Sequence, residues 1–254
     1  MQWLIQCTGI PDTNSRPLLD AVKARGLPYR AIGIIPFSHE LTGMEEVDSS
    51  LPTMFYGSTQ LLELAPKQFK PGMFYDPKWF DPRHWVDKRD DLVNKSMLQI
   101  SVSTLRKNWV DEVTFVKSIK PKLLTGQVLE PEKEDWDRWV LEHADLDGDE
   151  QLLLSPWHKI DREWRFFIIE GKIITGSSYK RDGCLIIRDP LILEVWTAAN
   201  RALEQWIPFQ NIVMDLALMR DGTYKVVEFN ALNSSGWYNS DVGKVVDKIS
   251  ELYG

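Results

Sequence analysis

Two carboxylates and an amide fall on one face of a predicted hairpin in residues 212–230. Two apolar segments flank an Asp-Gly pair there, a strong hairpin signal that indicates a two-residue loop. That loop places Asp215 directly opposite Glu228, with Asn230 two residues further along the same face. Because facing like charges destabilise a sheet, the pattern predicts a hard divalent cation such as Mg²⁺, which binds oxygen ligands. The alternative is a solvent-exposed edge hairpin whose acids hold no ligand.

A second predicted hairpin, residues 163–180, collects positive charge. A turn at its central Glu-Gly pair places Arg165 opposite Gly176, a residue small enough to leave room for a ligand. Lys180 and the carboxylate of Glu163 fall on the same face. This grouping is consistent either with an anion site or with an ordinary surface ladder of ion pairs, which would stabilise the fold little.

A third group of charges lies in residues 113–129, which contain three lysines and no acidic residue. These lysines are Lys117, Lys120 and Lys122. Phosphoryl transfer depends on cations and a metal spread along the charge of the transferred phosphate. The three groups together therefore indicate phosphoryl chemistry on a nucleotide. Neither a G-x-x-x-x-G-K-[ST] nor a G-x-G-x-x-G pattern is present, which argues against a P-loop or a Rossmann nucleotide site.

In this order along the chain, these segments resemble the ATP-grasp superfamily. Asp215 followed by Glu228-Phe229-Asn230 resembles its metal-binding motif, and Lys117 with the loop after it resembles its phosphate-covering loop. Residues 153–157 followed by Glu163-Trp164-Arg165 resemble its adenine hinge and the next strand. The likeness extends over residues 113–254 and is strongest to short ATP-grasp proteins of unknown function encoded by phages and bacteria.

The resemblance implies a mixed α/β (α+β) ATP-grasp fold, in which two α+β subdomains clamp ATP behind a small N-terminal α/β domain. We expect the N-terminal domain to span residues 1–110 and the ATP-grasp domain residues 111–254. The latter would divide into a central subdomain, 111–185, and a C-terminal subdomain, 186–254. The first third of the chain alternates apolar strands with helical patterns, which predicts a small parallel sheet. Residues 94–106 are predicted to be helical.

The resemblance also implies a role for each matching residue. The expected Mg²⁺ ligands are Asp215, Glu228 and Asn230. The expected nucleotide-binding residues are Lys117, Lys120, Lys122, Gly126, Leu154, Ser155, Pro156, Trp157 and Glu163, with the lysines on the phosphates and residues 154–157 on adenine. The expected catalytic residues are Arg165 and Lys180, which would face the γ-phosphate and the developing acyl phosphate.

Two positions depart from the family pattern. Ser155-Pro156 stands in the hinge where an acidic residue is common, and no arginine precedes Asp215 on its strand. Arg165 is a candidate substitute for that arginine.

The activity that the resemblance implies is that of an ATP- and Mg²⁺-dependent carboxylate–amine ligase. Such an enzyme phosphorylates a carboxylate, lets an amine or similar nucleophile attack the acyl phosphate, and releases ADP and phosphate. A peptide or protein is one candidate acceptor. The alternatives are a phosphotransferase (kinase) on the same scaffold and a nucleotide-binding regulator without turnover.

Composition narrows the remaining classes. The chain has 30 Lys and Arg against 37 Asp and Glu, a formal charge of −7, so non-specific nucleic-acid binding is not expected. Cys7 and Cys184 are too few for a disulfide scaffold or a Cys-rich zinc site, which favours a reducing cytoplasm. No signal peptide and no apolar stretch of membrane-spanning length is evident, so we expect a cytoplasmic protein with no membrane partner.

Two further segments have two interpretations each. Residues 70–91, rich in Pro, Trp, Asp and Lys, are either an irregular surface segment with some buried aromatic residues or a loop that faces the substrate. Residues 233–236, Asn-Ser-Ser-Gly, either bind acceptor or phosphate or form a plain turn.

Overall fold

The computed structural model describes residues 1–7, 12–35, 38–66, 69, 74–108, 110–120 and 123–254. Lys122 lies outside these residues. The strands are β1 (Gln2–Gln6), β2 (Tyr29–Ile34), β3 (Leu41–Thr42), β4 (Thr53–Tyr56), β5 (Leu98–Ser101), β6 (Thr114–Ser118), β7 (Gln127–Leu129), β8 (Gln151–Pro156), β9 (Ile160–Ile169), β10 (Lys172–Arg181), β11 (Cys184–Leu185), β12 (Ile212–Met219) and β13 (Tyr224–Asn230). The α-helices are α1 (Ser15–Ala24), α2 (Thr59–Leu64), α3 (Val102–Lys107), α4 (Lys133–Glu142), α5 (Leu193–Gln205) and α6 (Val242–Tyr253). Short 3₁₀ helices span Pro77–Phe80, Pro82–His84 and Leu232–Ser234.

The described chain divides into two compact units. The first combines Met1–Phe80 with Ile160–Gly254, and the second is Asp81–Lys159. The predicted domain boundaries after residues 110 and 185 do not coincide with the limits of these units, and the predicted division stays a prediction.

The N-terminal sheet of the first unit has the strand order β3-β2-β1-β4. β1 pairs in parallel with both β2 and β4, which confirms the predicted parallel sheet. A parallel pair needs a crossover connection, and α1 supplies it between β1 and β2. Gly26 follows α1 at φ +63°, a conformation that ends helices and that glycine adopts without strain.

The second sheet of the first unit is antiparallel, with the order β11-β10-β9-β12-β13. β9 lies at its centre, so its backbone is hydrogen-bonded to β10 on one side and to β12 on the other. Register shifts interrupt the pairing of β9 with β10 and of β12 with β13. Such bulges bend strands and re-aim side chains, and they recur beside active sites.

One apolar core joins both sheets of the first unit to helices α1 and α6. Its members come from the beginning, the middle and the end of the chain. They include Trp3, Ile5, Leu18, Tyr56, Phe167, Val213, Trp237, Val245 and Ile249, each at most 4% exposed. α1 and α6 also carry a salt bridge in which Arg25 donates to Asp247. The core therefore closes only when the two segments of this unit come together.

The second unit is built on a four-stranded antiparallel sheet with the order β5-β8-β6-β7. Its core gathers Val102, Val116, Leu152 and the paired Trp136 and Trp139 of α4. The predicted helix over residues 94–106 is wrong in its first half. Residues 98–101 instead form the edge strand β5 against β8, and α3 begins only after Ser101, whose hydroxyl accepts a hydrogen bond from the Thr104 amide.

The described part of the Pro- and Trp-rich segment contains little regular structure beyond two 3₁₀ turns. Trp85 is 2% exposed, and the fully buried guanidinium of Arg89 is paired with Asp91 at 2.6 Å. These contacts are those of an irregular segment held by buried side chains, the first of its two interpretations. Among the described residues, no helix has both the length and the apolar character required to cross a bilayer.

Asn233 connects the loop after β13 to the N-terminal sheet. It is fully buried, donates to the Phe55 carbonyl at 2.6 Å and accepts from the Phe74 amide at 2.8 Å. The neighbouring Ser235 carbonyl accepts a hydrogen bond from the Tyr56 hydroxyl at 2.8 Å. For these two residues the structure gives a packing role.

We expect Asn233→Ala to lower the free energy of unfolding by about 2–4 kcal/mol, because it leaves two buried backbone groups without partners. Urea denaturation followed by tryptophan fluorescence measures this change. Asn239→Ala, at an exposed position six residues along, is the matched control and should cost less than about 0.5 kcal/mol. Equal effects of the two substitutions would contradict the role given to Asn233.

Candidate active site

Asp215 and Glu228 face each other across the β12–β13 hairpin, as predicted. The hairpin reaches this pairing by a different route, however. The Met219 amide donates to the Thr223 carbonyl, so the loop has three residues rather than two, and Gly222 adopts φ +84° in it. This three-residue loop is a common alternative hairpin form. It shifts the register by one residue near the turn.

A bulge on β13 then restores the predicted register. Leu216 pairs with Val226 and Asp215 pairs with Glu228, so Val227 is an extra residue on its strand. The two displacements cancel at the acidic pair. Asn230 consequently lies on the same face, where its amide nitrogen donates to Glu228 at 3.1 Å and to Asp215 at 3.3 Å.

The register of the β9–β10 hairpin differs from the prediction. The predicted two-residue loop is present, since Ile169 pairs with Lys172. A bulge further on shifts the pairing, so that Arg165 faces Ser177 and Gly176 faces Phe166. The expectation that Gly176 opens space beside Arg165 is therefore wrong. A Cβ on Gly176 would lie 2.6 Å from the Phe166 ring, so close packing accounts for this glycine.

Arg165 and Asp215 form a buried ion pair between the neighbouring strands β9 and β12. Arg165 Nε donates to Asp215 Oδ1 at 2.7 Å and Nη2 donates to Oδ2 at 2.6 Å. Asp215 is 0% exposed and Arg165 is 8% exposed. The positive charge predicted beside the acidic pair is thus present as a guanidinium from the chain itself.

Burial acts against both charges of this pair, and each partner opposes that effect in the other. Burial raises the pKa of the Asp215 carboxyl, and the guanidinium of Arg165 counteracts the shift. Burial alone would lower the pKa of Arg165, but the Asp215 carboxylate raises it overall. A charge-assisted bidentate contact of this kind is strong and directional. The pair is therefore charged at neutral pH and fixed in orientation.

Two tyrosines and a carbonyl complete the surroundings of Arg165. Its guanidinium carbon lies 5.4 Å from the ring centroid of Tyr179 and 5.1 Å from that of Tyr238, and the two rings stack at 4.9 Å. Its Nη1 donates to the Gly236 carbonyl at 3.4 Å. Burial raises the pKa of the Tyr179 hydroxyl well above its usual range, so this hydroxyl stays protonated.

Lys180 and Glu163 lie beside this arrangement, as the sequence predicted. Their side chains are 3.5 Å apart, and Glu163 also accepts a hydrogen bond from the Tyr179 hydroxyl at 2.5 Å. Lys180 remains partly exposed, with its ammonium 5.2 Å from the Tyr179 ring. We use "charged cluster" for this group, which consists of Glu163, Arg165, Tyr179, Lys180, Asp215, Glu228 and Asn230. Its three carboxylates exceed its two cations by one charge.

The oxygen atoms of the charged cluster determine which residues suit Mg²⁺. Across the part of the chain that the structure describes, no three His, Cys, Asp or Glu side chains form a metal-binding group. Glu228 and the carbonyl of Asn230 are hard oxygen ligands on one face, and Mg²⁺ in nucleotide sites often needs only one or two protein carboxylates besides phosphate and water. These two residues suit the ion. Asp215 already directs both oxygens at Arg165.

The predicted phosphate-binding lysines belong to the second unit and have different surroundings. Within the described residues, Lys117 on β6 makes no hydrogen bond or ion pair. Lys120 is paired with Glu150 at 2.9 Å. Gly126 packs against the Phe115 ring, which a Cβ at this position would approach to 2.4 Å. Lys117 is therefore the described lysine of this group whose charge is uncommitted.

The predicted hinge occupies the end of β8. Leu154 pairs with β5 on one side and with β6 on the other, and the buried Ser155 hydroxyl donates to Asn94 at 3.0 Å. The Trp157 amide donates to the Val113 carbonyl, and Pro156 has no amide hydrogen. The backbone groups that this segment offers from Pro156 and Trp157 are consequently their carbonyl oxygens.

Comparison with known families assigns the fold. The family model that matches residues 35–249 is described as an ATP-grasp domain, family 3 of its clade. The chain belongs to this ATP-grasp family. A comparison with curated protein sequences gives no match.

Solved structures of ATP-grasp ligases share this fold. D-cycloserine synthetase DcsG has a TM-score of 0.64 at 15% identity, with 100% of this chain and 99% of that chain covered. The ATP-grasp ligase PsnB complexed with minimal precursor has a TM-score of 0.60 at 12% identity, covering 98% of each chain. D-alanine–D-alanine ligase from Bacillus anthracis has a TM-score of 0.56 at 13% identity, covering 98% of this chain and 92% of that chain. The mixed α/β ATP-grasp fold predicted from the sequence is confirmed.

Two residues of this ATP-grasp site were missed by sequence reasoning. Tyr179 and Tyr238 carry no motif, and Tyr238 follows a tryptophan in a segment that suggests packing. Tyr238 adopts φ +51° and is 39% exposed. A non-glycine residue in this region costs about 1–3 kcal/mol and persists where function or packing holds it. Nothing in the sequence signals that strain, since tyrosine does not favour the left-handed region.

We expect Arg165→Met to lower the free energy of unfolding by about 3–5 kcal/mol, because it leaves the Asp215 carboxylate buried without a partner. The double variant Arg165→Met/Asp215→Leu should recover stability to within about 1 kcal/mol of the native chain, since an apolar pair of similar volume replaces the ions. Urea denaturation measures both, and Arg201→Met, at an exposed position on α5, is the control. A double variant as unstable as the single one would contradict this account of the pair.

Proposed function

We propose that this protein is an ATP- and Mg²⁺-dependent ligase that activates a carboxylate as an acyl phosphate and joins it to an amine or similar nucleophile. One observation carries the proposal. A fixed guanidinium, Arg165, and a partly exposed ammonium, Lys180, lie in one cluster with the oxygen ligands Glu228 and Asn230. Such fixed charges stabilise a transferred phosphoryl group without reorganising during the reaction.

The net negative charge of the charged cluster makes a metal necessary for nucleotide binding. Three carboxylates against two cations would repel a triphosphate on their own. Mg²⁺, held by Glu228 and Asn230, would neutralise phosphate charge when bound. Arg165 and Lys180 would then face the phosphoryl group as it passes to the acceptor carboxylate, and withdraw charge from it in the transition state.

The second unit would supply the remaining nucleotide contacts. Lys117 would contact the phosphates, because its ammonium has no competing partner among the described residues. Leu154, Ser155, Pro156 and Trp157 would contact the adenine through their backbone. The carbonyl oxygens there suit the exocyclic amine of adenine as a donor.

A peptide or protein is the acceptor that we favour. Among the proteins with this fold, PsnB was solved with a precursor peptide, and D-alanine–D-alanine ligase joins amino acids by name. These likenesses support a peptide-like carboxylate and an amine as substrates. We also propose a cytoplasmic location, where ATP is available and the two cysteines stay reduced.

The proposal predicts that MgATP is converted to ADP and phosphate only when a carboxylate and a nucleophile are both present. We expect a panel of short peptides with free carboxylates to yield hydroxamates when hydroxylamine is the nucleophile, because hydroxylamine captures acyl phosphates. Coupled ADP detection and mass spectrometry measure this. A stable phosphorylated peptide would instead indicate a kinase, and nucleotide binding without ADP release under any condition would indicate a regulator.

The control for that assay is Glu228→Ala/Asn230→Ala, which removes the proposed metal ligands and should lower turnover at least about tenfold. The surface pair Glu204→Ala/Asn239→Ala changes the same residue types at exposed positions and should leave turnover within about twofold. Unchanged Mg²⁺-dependent ATP binding in the first variant would exclude these residues as the metal site.

Lys117 and Lys120 give a matched comparison of phosphate contacts. We expect Lys117→Met to weaken ATP binding by about 10–100-fold, as the loss of one charge-assisted contact does. Lys120→Met should weaken it by less than about threefold, because the Lys120 ammonium is already paired with Glu150. Isothermal titration with ATP and Mg²⁺ measures both constants. Equal losses in the two variants would overturn the distinction.

A further inference from the structure

We infer that Asp215 is a positioning residue for Arg165 and that metal ligation in this protein falls to Glu228 and Asn230. This inference deepens the proposed function and rests on it. The acidic motif would then divide its residues between two tasks. One carboxylate orients a cation, and the other two side chains hold the metal.

The hydrogen bonds of Asp215 account for both of its oxygens. Oδ1 accepts from Arg165 Nε, and Oδ2 accepts from Arg165 Nη2 and, at longer range, from Asn230 and Tyr179. The carboxylate is fully buried, so no solvent-exposed lone pair remains. A metal ion at Asp215 would have to displace a bidentate guanidinium from a carboxylate that is buried with it.

The side chains on β13 are arranged differently. Glu228 accepts one hydrogen bond at Oε1, from Asn230, and is only partly buried. Because the Asn230 amide nitrogen donates to both carboxylates, its carbonyl oxygen is directed away from them. One carboxylate and one amide carbonyl remain as accessible oxygen ligands, a set that suits an ion completed by phosphate and water.

Arg165 is held on every side that the structure describes. Asp215 binds one edge of the guanidinium, the Gly236 carbonyl accepts from Nη1, and the rings of Tyr179 and Tyr238 lie within 5.4 Å and 5.1 Å of its carbon. These contacts leave some N–H donors of the guanidinium unused. Asp215 therefore determines which way the remaining donors point, which is the role of a positioning residue.

The test measures Mn²⁺ binding by electron paramagnetic resonance in the presence of saturating AMPPNP. We expect Glu228→Gln to weaken Mn²⁺ binding at least about tenfold and Asp215→Asn to change it less than about threefold. In turnover, Asp215→Asn should lower kcat with no change in the Mg²⁺ concentration needed for half-maximal rate. Glu204→Gln and Asp20→Asn, at exposed positions, are the matched controls.

Two further variants keep the test decisive where Asp215→Asn does not fold. Arg165→Met/Asp215→Leu removes both charges together and should bind Mn²⁺ within about threefold of the native chain. Arg165→Met alone frees the Asp215 carboxylate, so it should bind Mn²⁺ more tightly than the native chain by about threefold or more.

The outcomes separate this inference from the proposed function. Loss of Mn²⁺ binding in Asp215→Asn or in the double variant, equal to the loss in Glu228→Gln, would make Asp215 a metal ligand and overturn the inference while the proposed function stands. Absence of any Mn²⁺–AMPPNP binding by the native chain would overturn the proposed function, and the inference with it.

Discussion

The buried contact between Arg165 and Asp215 is the constraint on which the site depends. It joins β9 to β12 in the interior of a sheet whose backbone groups are already paired on both sides. Buried ion pairs of this type contribute little net stability compared with apolar residues of similar volume. The cost of placing these charges in the core is therefore better explained by what the fixed guanidinium does than by how much it stabilises the fold. The bulges and the two tyrosines serve the same end, because each brings a side chain to Arg165 or to its partner.

Much of the architecture could be predicted from the sequence, because local patterns determine it. Alternating apolar strands and helices indicated the parallel N-terminal sheet, and the order of the charged motifs indicated the ATP-grasp family. Facing of Asp215 and Glu228 was predicted as well, although the predicted loop was one residue too short. The bulge at Val227 compensated for that error. Pairing arithmetic from a turn holds only until the first bulge, which is why the same reasoning placed Gly176 opposite Arg165 and was wrong there.

The remaining features depend on contacts that sequence periodicity does not encode. Residues 98–101 follow a helical pattern, yet they pair with β8 because that strand offers an open edge. The left-handed backbone of Tyr238 and the bulge at Tyr179 arise from packing around a buried cation, and neither tyrosine is a residue type that favours such a conformation. The separation of the lysines into a paired Lys120 and an unpaired Lys117 likewise depends on where Glu150 lies after folding.

The order of segments along the chain has a consequence for how the protein folds as it is synthesised. Asp81–Lys159 interrupts the other unit in sequence, so its complete fold leaves the ribosome before the second segment of that unit exists. The apolar core around Trp3 and Leu18 includes Val245 and Ile249 of the last helix. The N-terminal sheet must therefore wait for α6 before its core is closed. Contacts between residues so distant in sequence form slowly, because a long loop has to be ordered before they stabilise anything. The first strands to emerge are in this way among the last to be buried, and they are the part of the nascent chain most dependent on protection from aggregation.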